Sequence, residues 1–418
     1  MERVYLCIDL KSFYASVECV ERGLDPLRVN LVVADPSRGN GALCLAISPH
    51  MKTPGVKNRC RLFEIPKQVE YITALPRMRL YMEYAAWIYR IFLKYVAKED
   101  IHVYSIDESF LDVTSYLKLY GMNARQLAQT ITAAILKETG ITATVGIGPN
   151  LFLAKVALDI ISKHAPDSTG YLDESLFKQW MWHHQPLTDF WQIGPGIARR
   201  LARRGIVDMW GIAHYPEKLL YQEFGINARY LIDHAWGRES TTIEEIHRYK
   251  AKAHSISNSQ ILFEDYSYQD AFLIVKEMVD VNVLTLTDRH LVTNRISLSI
   301  GYSKDVIRPT GAITKISNCT NSYRILLQEF KRLYVRVTNP SYPIRRIGIG
   351  FHNVRDEMYE SYDLFTDIQE VEKEKKIQET LVRIRQQYGK NAVLKGMNLE
   401  EKGTTRKRNL LIGGHNAQ

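Results

Sequence analysis

The first 163 residues alternate between the two-residue period of strands and the 3.6-residue period of helices. The predicted elements are strand Val4–Asp9, helix Phe13–Glu21, strands Leu31–Val33 and Leu43–Ile47, helix Tyr81–Tyr95, strands Ile101–Ser105 and Phe110–Val113, helix Ala124–Glu138, strand Thr142–Ile147 and helix Phe152–Ile161. With residues 14–75 set aside as an insertion, the order is strand, helix, two strands, helix, strand. That order is close to the ferredoxin-like arrangement, an α+β fold.

The rest of the chain has a helical segment, a second mixed segment and a charged tail. The pattern is helical from about His164 to Gly237, and a polar link, Glu239–Ile246, follows. The mixed segment has predicted strands and helices: strands His254–Phe263, Asn294–Tyr302 and Ile344–Phe351, with helices Tyr268–Val281 and Ser322–Val335. In the tail after Asn353, Ile368–Tyr388 is predicted to be a polar helix with little core of its own.

Length and composition indicate a multidomain globular protein. A chain of 418 residues is too long for one compact core, and a hydrophobic fraction of 45% argues against wholesale disorder. No apolar run approaches the ~20 residues that a membrane helix needs, and the N-terminus does not resemble a secretory signal. The five cysteines lack CxxC spacing, so we expect a reduced, cytoplasmic protein without structural zinc or disulfides.

The positive charge is concentrated in one part of the chain. The whole chain carries +9, and residues 245–352 carry 15 Lys and Arg against 9 Asp and Glu, a net +6. A surface that follows a phosphate backbone would have this excess, although a basic surface without a partner is an alternative.

Three carboxylates fall at topologically related positions. Asp9 is predicted to end the first strand, while Asp107 and Glu108 lie at the turn of the central hairpin. A ferredoxin-like sheet places that strand beside the hairpin, so the three side chains are expected to cluster. Clustered carboxylates repel unless a hard cation such as magnesium compensates them, and two such ions suit in-line phosphoryl displacement. Taken singly, Asp9 as a helix cap and Asp107 and Glu108 as turn residues are reasonable alternatives.

The residues around these carboxylates resemble a known family. The segments Ile8-Asp-Leu-Lys-Ser-Phe-Tyr-Ala-Ser-Val-Glu18 and Tyr104-Ser-Ile-Asp-Glu-Ser-Phe-Leu-Asp112 resemble the two acidic motifs of Y-family DNA polymerases. A third match comprises Thr144–Asn150 and Leu153–Asp159. The resemblance covers residues 1 to about 352, and its Lys-Ser-Phe-Tyr wording is similar to the UmuC-like bacterial branch.

The resemblance implies a set of metal and sugar contacts. Asp9, Asp107 and Glu108 would bind two Mg²⁺ ions, for which Mn²⁺ can substitute, and Leu10 would add its backbone carbonyl. Phe13 and Tyr14 would lie under the incoming sugar. Tyr14 would exclude a ribose 2′-hydroxyl, because the added oxygen meets a ring without a hydrogen-bonding partner. An ordinary packed helix aromatic is the alternative for Tyr14.

Two lysines match positions whose cations hold the triphosphate. Lys52 and Lys155 would stabilise the charge that accumulates on the leaving pyrophosphate. The sequence departs here from members with a Tyr-x-x-Arg pair, because Pro49-His-Met-Lys52 stands in its place. A phenol contact to the phosphates is therefore in doubt, and Lys supplies a point charge where Arg supplies a fork. A plain solvated lysine is the alternative for Lys52.

The helical segment contains a glycine turn that is typical of a helix–hairpin–helix. Gly194 and Gly196 would allow close approach to a phosphate, and the next helix offers free N–H groups. Four arginines follow, namely Arg199, Arg200, Arg203 and Arg204. These features indicate backbone binding without base readout, as in the family's thumb, while a tight helix connection is the alternative.

The remaining candidate contacts are weaker. By resemblance, residues 252–352 occupy the place of the little finger, where Arg295, Arg345 and Arg346 are candidates for lining a duplex backbone. In the tail, Leu364 and Phe365 resemble the anchors of a sliding-clamp peptide, although Ser361 stands where the usual Gln would be. The alternative is a loop that packs this Leu-Phe pair into the little finger.

As a whole, the resemblance implies a right-hand polymerase. The expected domains are a palm (1–13 and 76–163), fingers (14–75), a thumb (164–240), a linker (241–251), a little finger (252–352) and a tail (353–418). The expected activity is low-fidelity synthesis across damaged templates by a monomer, with primer–template DNA and deoxynucleoside triphosphates as partners. The rivals are a nucleotide cyclase and a DNA-binding subunit without catalysis.

Overall fold

The computed structural model describes residues 3–39, 41–53, 55–251, 254–303 and 306–417. The chain divides into two compact units, of which the first comprises Met1–Tyr249 with His415–Gln418 and the second comprises Lys250–Gly414. In the described part of the chain, no helix is long and apolar enough to cross a membrane.

The first unit is built on two sheets. Its strands are β1 Tyr5–Leu10, β2 Leu31–Val33, β3 Ala46–Ile47, β4 Ile72–Ala74, β5 Ile101–Val103, β6 Glu108–Asp112, β7 Ala143–Gly148 and β8 Thr169–Tyr171. The larger sheet has the order β5-β6-β1-β7-β8, with β1 antiparallel to both β6 and β7. Without β8 this is the ferredoxin-like order, so the predicted fold is confirmed. The smaller sheet, β3-β2-β4, lies in the insertion.

Helices complete the first unit. They are α1 Phe13–Val20, α2 Met78–Phe92, α3 Thr114–Tyr120, α4 Ala124–Thr139, α5 Leu151–Val156, α6 Glu174–Trp180, α7 Pro195–Ala202, α8 Met209–His214, α9 Glu217–Phe224, α10 Ala228–Ala235 and α11 Ile243–Arg248. Helix α5 packs closely on β7. Gly146 allows this approach, since a Cβ at this position would lie only 2.0 Å from the Ala154 carbonyl oxygen. A π-helical turn, Ala157–Ser162, continues α5, where the sequence predicted one regular helix.

The second unit is a four-stranded antiparallel sheet with helices on it. Its elements are β9 His254–Tyr266, α12 Tyr268–Asp288, β10 Leu291–Tyr302, β11 Thr310–Thr320, α13 Tyr323–Val337, β12 Ile344–Asp356, α14 Ile368–Tyr388, α15 Thr405–Arg408 and β13 Leu411–Ile412. The sheet order is β11-β10-β12-β9, and β14 (His415–Asn416) returns to the first unit. Strand β11 was missed in the sequence because small and polar residues dominate its pattern.

The C-terminal segment is anchored by polar contacts to two buried carboxylates of α12. Glu277 accepts hydrogen bonds from Asn398 Nδ2 (3.0 Å) and from the Thr404 backbone N–H (2.8 Å). Asp280 pairs with Lys395 Nζ at 2.7 Å. Both carboxylates are almost completely buried. Because an unpaired buried charge is costly, this segment is an integral part of the second unit.

Candidate active site

The central pairing of the large sheet brings the predicted carboxylates together. In the register of β1 and β6, Asp9 is directly opposite Glu108. The Leu10 N–H donates to the Asp107 carbonyl oxygen at 2.9 Å. Asp9 lies inside β1, which ends one residue later than predicted, and Glu108 begins β6 instead of sitting in the turn. Tertiary structure therefore juxtaposes three acids from two distant stretches of chain.

The surroundings of Asp9 disfavour its ionised form. Burial, followed by the nearby charges of Asp107 and Glu108, raises the pKa of Asp9 to about 7. Carboxylate oxygens are the donors that Mg²⁺ prefers, so the chemistry of this set fits a divalent cation. Among the described residues no three acidic, His or Cys side chains already form a closed metal-binding group.

Glu108 is held by two neighbours. Lys155 Nζ lies 2.7 Å from Glu108 Oε1 and 2.8 Å from Asp159 Oδ2, and its side chain is only 9% exposed. The Cys7 thiol donates to the same Glu108 oxygen at 3.4 Å. Although burial opposes it, the charges of these neighbours raise the pKa of Lys155. The structure thus places Lys155 beside a carboxylate of the cluster, where it orients that carboxylate.

Lys11 and Lys163 lie near the cluster together with Lys52, and no role was predicted for either from the sequence. Loss of hydration lowers the pKa of Lys52; Asp9 raises it, and Lys163 and Lys11 lower it. The ammonium groups of Lys11, Lys52 and Lys163 therefore interact electrostatically near Asp9. Lys11 directly follows the Asp9-Leu10 pair, which was an available signal, and its Nζ donates to Ser168 Oγ at 2.7 Å. Lys163 has a side chain 54% exposed and lies 3.5 Å from Asp159 Oδ1.

Helix α1 begins at Phe13, four residues after Asp9, and no side chain caps its N-terminus. Its N-cap, Ser12, has a left-handed backbone (φ 49°) and no side-chain cap, and the Ser12 hydroxyl is buried without a partner among the described residues. The helix N-terminus and the hydroxyl together make a ready anion-binding position. No motif in the sequence analysis assigned a role to Ser12.

Tyr14 is held rigidly next to the carboxylates. Its ring stacks on Tyr81, with centroids 4.6 Å apart and an angle of 18° between planes. Burial and then the charge of Asp107 raise the pKa of Tyr14, whereas Arg59 lowers it. Phe13 is buried beneath it, with ring centroids 5.8 Å apart. The Tyr14 ring therefore has little freedom to move away from the carboxylate cluster.

Only Gly194 of the predicted glycine turn precedes α7, as its N-cap; Pro195 is the first residue of the helix and Gly196 the second. A Cβ at Gly194 or Gly196 would meet nothing within 4 Å, so this side of the turn is open. Glu223 pairs with both Arg200 and Arg204 at 3.0 Å. Arg199 donates to the Pro195 carbonyl oxygen of its own helix. Two of the four arginines thus share the single negative charge of one carboxylate.

The candidate arginines of the second unit lie at different exposures. Arg295 and Arg346 are exposed on the sheet face opposite the buried Ile296 and Ile347, whereas Arg345 is half-buried and 3.5 Å from Asp265. Between the exposed pair, the face consists of small residues, because Ser297 is opposite Gly350 and Ser299 is opposite Gly348 in the β10–β12 register. Lys315 is opposite Arg295 in the β10–β11 register and extends the basic end of this face.

Leu364 and Phe365 are almost completely exposed, at 99% and 96%. Their turn is pinned by Asp363, which receives a hydrogen bond from Thr366 Oγ1 (2.7 Å) and donates its own N–H to Asn318 Oδ1 (3.2 Å). The alternative in which this pair packs into the little finger is therefore wrong.

Comparison with known proteins agrees with this architecture. The model of the impB/mucB/samB family matches residues 8–159, and the model of that family's C-terminal domain matches residues 253–364. A Bacillus subtilis protein named for UV-damage repair, UvrX, is 33% identical over 98% of this chain and 97% of its own length. DNA polymerase IV 2 of the same organism is 29% identical over 99% of both chains.

A solved structure has the same fold. A Y-family DNA polymerase chimera of Dbh and Dpo4 superposes with a TM-score of 0.65 at 23% identity, covering 84% of this chain and 99% of that one. The chain is a member of the impB/mucB/samB family. Its fold is that of the solved Y-family DNA polymerase chimera.

Proposed function

We propose that this chain is a translesion DNA polymerase that adds deoxynucleotides to a primer end under the direction of a damaged or undamaged template. The observation that carries the proposal is the register of β1 and β6, which sets Asp9 opposite Glu108 and beside Asp107. Full-length relatives named for UV-damage repair and as DNA polymerase IV support the same activity. The activity of a nucleotide cyclase does not require a sheet face of small residues flanked by arginines, such as the one in the second unit.

Asp9, Asp107, Glu108 and the Leu10 carbonyl would hold two divalent cations, Mg²⁺ or Mn²⁺. Such ions, when bound, activate the primer 3′-hydroxyl and stabilise the leaving pyrophosphate. The raised pKa of Asp9 supports this assignment, since a cation would offset the charge that burial and the neighbouring acids impose. Lys155 keeps Glu108 in one orientation by its 2.7 Å contact.

The incoming deoxynucleoside triphosphate would bind between α1 and the lysines. The free N–H groups at the start of α1 and the Ser12 hydroxyl would donate to phosphate oxygens. Lys11, Lys52 and Lys163 would supply the positive charge, replacing the fork of an arginine by three point charges. Tyr14, fixed by Tyr81, would close the space that a ribose 2′-hydroxyl needs.

DNA would be held by its backbone. The N-terminus of α7, with Gly194 as its N-cap and Gly196 in its first turn, would bind a phosphate, with Arg199 near it. In the second unit, the Gly and Ser face flanked by Arg295 and Arg346 would allow close approach of a duplex. The first unit would comprise the palm, fingers and thumb, and the second unit would comprise the little finger and tail. Leu364 and Phe365 would dock on a sliding clamp.

Primer extension by the Asp107→Ala variant tests the proposal. We expect wild-type chain to extend a primer on undamaged and abasic templates with Mg²⁺. The variant should lose nucleotide addition but keep primer–template affinity within a few-fold, because the affinity comes from basic surface elsewhere. Glu83→Ala, which removes an exposed carboxylate from α2, is the matched control and should extend normally. Substantial extension by Asp107→Ala would overturn the assignment, and cyclic nucleotide production would favour the rival enzyme.

A further inference from the structure

The insertion between α1 and α2 contains two facing cysteines. Cys44 and Cys60 lie on two antiparallel stretches of chain, joined by the bridge between Leu43 and Arg61. The Cys44 N–H donates to the Cys60 carbonyl oxygen at 2.8 Å, and the Leu62 N–H donates to the Ala42 carbonyl oxygen at 3.1 Å. This register makes Cys44 and Cys60 direct cross-strand neighbours.

The separation of such a pair suits a disulfide. Directly opposite residues of a hydrogen-bonded antiparallel pair have Cα atoms about 5.5 Å apart, within the usual range for disulfide-bonded cysteines. Burial raises the pKa of Cys44 to about 12, and the neighbouring Cys60 contributes to that rise. Both cysteines are free, as are Cys7, Cys19 and Cys319.

The pair sits in a small core of its own. Cys44 and Cys60 pack with Val32, Ile47, Met51 and Val56. Cys44 is fully buried, but Cys60 lies between Arg59 and Arg61, both of which are exposed. Burial disfavours the Cys44 thiolate, and the exposed flanks would allow a small oxidant to reach Cys60 when this edge opens.

We propose that Cys44 and Cys60 form a redox-sensitive dithiol that small two-electron oxidants, such as peroxides and diazenes, convert to an intrachain disulfide. With diamide, one S–S bond forms, the two thiols lose two protons and two electrons, and the N=N bond is reduced to a hydrazine. With hydrogen peroxide, the same two thiols yield the disulfide and two water molecules.

The disulfide would close a loop that reaches the candidate active site. Residues 45–59 include Lys52, which interacts with Asp9, and Arg59, which interacts with Tyr14. A covalent link at the base of this loop would restrict its opening and stabilise the folded state by constraining the unfolded chain. The thiol chemistry itself does not depend on the proposed polymerase function.

Thiol counting on the full-length chain tests the proposal. The native protein is treated with diamide at low concentration, quenched, denatured and titrated with a thiol reagent, and the linked peptides are identified by mass spectrometry. We expect five free thiols to fall to three, with recovery by dithiothreitol, a Cys44–Cys60 link and a melting temperature raised by several degrees. Cys44→Ala and Cys60→Ala should hold at four thiols, whereas the control variants Cys19→Ala and Cys319→Ala should fall from four to two.

Three results would overturn the proposal. Wild-type protein could keep all five thiols, the linked peptides could contain another cysteine, or Cys44→Ala could still lose two thiols. Since peptide mapping uses the wild-type chain, the test does not depend on the folding of any variant. Disulfide formation and primer extension are measured separately. A chain that extends primers but forms no Cys44–Cys60 disulfide contradicts this proposal alone. A chain that forms the disulfide but does not extend primers contradicts the proposed function alone.

Discussion

Lys155 Nζ lies 2.7 Å from Glu108 Oε1, so the lysine that the family resemblance assigns to the triphosphate forms an ion pair with a carboxylate that we propose as a metal ligand. Its second partner, Asp159, belongs to the same helical stretch. A residue that orients a metal ligand is expected to influence the chemical step more than substrate affinity. The kinetics of lysine variants can separate these roles.

Replacing Lys155 by Ala should lower kcat by about 10- to 100-fold, with a smaller change in the KM for deoxynucleotide, because Glu108 loses its orienting partner. Steady-state primer extension measures both constants. Lys137→Ala, an exposed lysine on α4, is the control. A variant with normal kcat and a strongly raised KM would show that Lys155 leaves Glu108 to bind the triphosphate.

Lys11→Ala and Lys163→Ala should each raise the KM for deoxynucleotide by about tenfold, equivalent to ~1.4 kcal/mol, while kcat changes less. The reason is loss of one of three cations that act together near Asp9. Single-nucleotide insertion at varied triphosphate concentration is the measurement. Wild-type kinetics in both variants would remove these lysines from the substrate site and leave Lys52 alone.

Tyr14→Ala should permit ribonucleotide insertion, since the ring that Tyr81 holds in place no longer blocks the 2′-hydroxyl. Tyr14→Phe keeps the ring and should retain discrimination, so it is the matched control. The measurement is the ratio of deoxynucleotide to ribonucleotide incorporation. An unchanged ratio in Tyr14→Ala would assign the exclusion to another side chain.

The pair of His234 and Glu239 should make stability depend on pH. Burial would raise the pKa of Glu239, but hydrogen bonds from His234 and Thr241 outweigh it and lower the pKa to about 2. A depressed folded-state pKa contributes stability above the unfolded value near 4.5, and this contribution, about 3 kcal/mol, is lost as pH falls towards 2. Denaturant unfolding between pH 7 and pH 2 measures it. Glu239→Gln should flatten the dependence, and an equally steep decline would contradict this assignment.

Changing both Leu364 and Phe365 to Ala should abolish clamp-stimulated synthesis but leave the melting temperature unchanged, because exposed side chains contribute little to folding. Val371→Ala, which shortens a buried residue of α14, should instead lower the melting temperature by several degrees. Clamp binding at micromolar concentrations and thermal unfolding are the measurements. Unaltered clamp-stimulated synthesis in the double variant would remove this docking role.

Local sequence predicts those parts of the site whose geometry depends on strand pairing. Apolar strand residues precede Asp9 and follow Glu108. Pairing of these strands brings the two residues opposite each other, and the apolar pattern is apparent in the sequence. Lys163 is different, because it follows a π-helical turn that a regular helical pattern does not predict. The polar strand β11 and the facing of Cys44 with Cys60 depend on neighbours that periodicity does not specify.

The anchoring of Glu277 has a consequence for the order in which the chain is made. Asn398, which donates to this buried carboxylate, is 121 residues further along the sequence. The ribosome therefore synthesises helix α12 long before its polar partners, so the second unit cannot reach its final packing until residues 395–404 have been made. Chains cut short before residue 395 would expose two hydrated acids at the surface of α12 and offer cellular proteases an unfinished substrate.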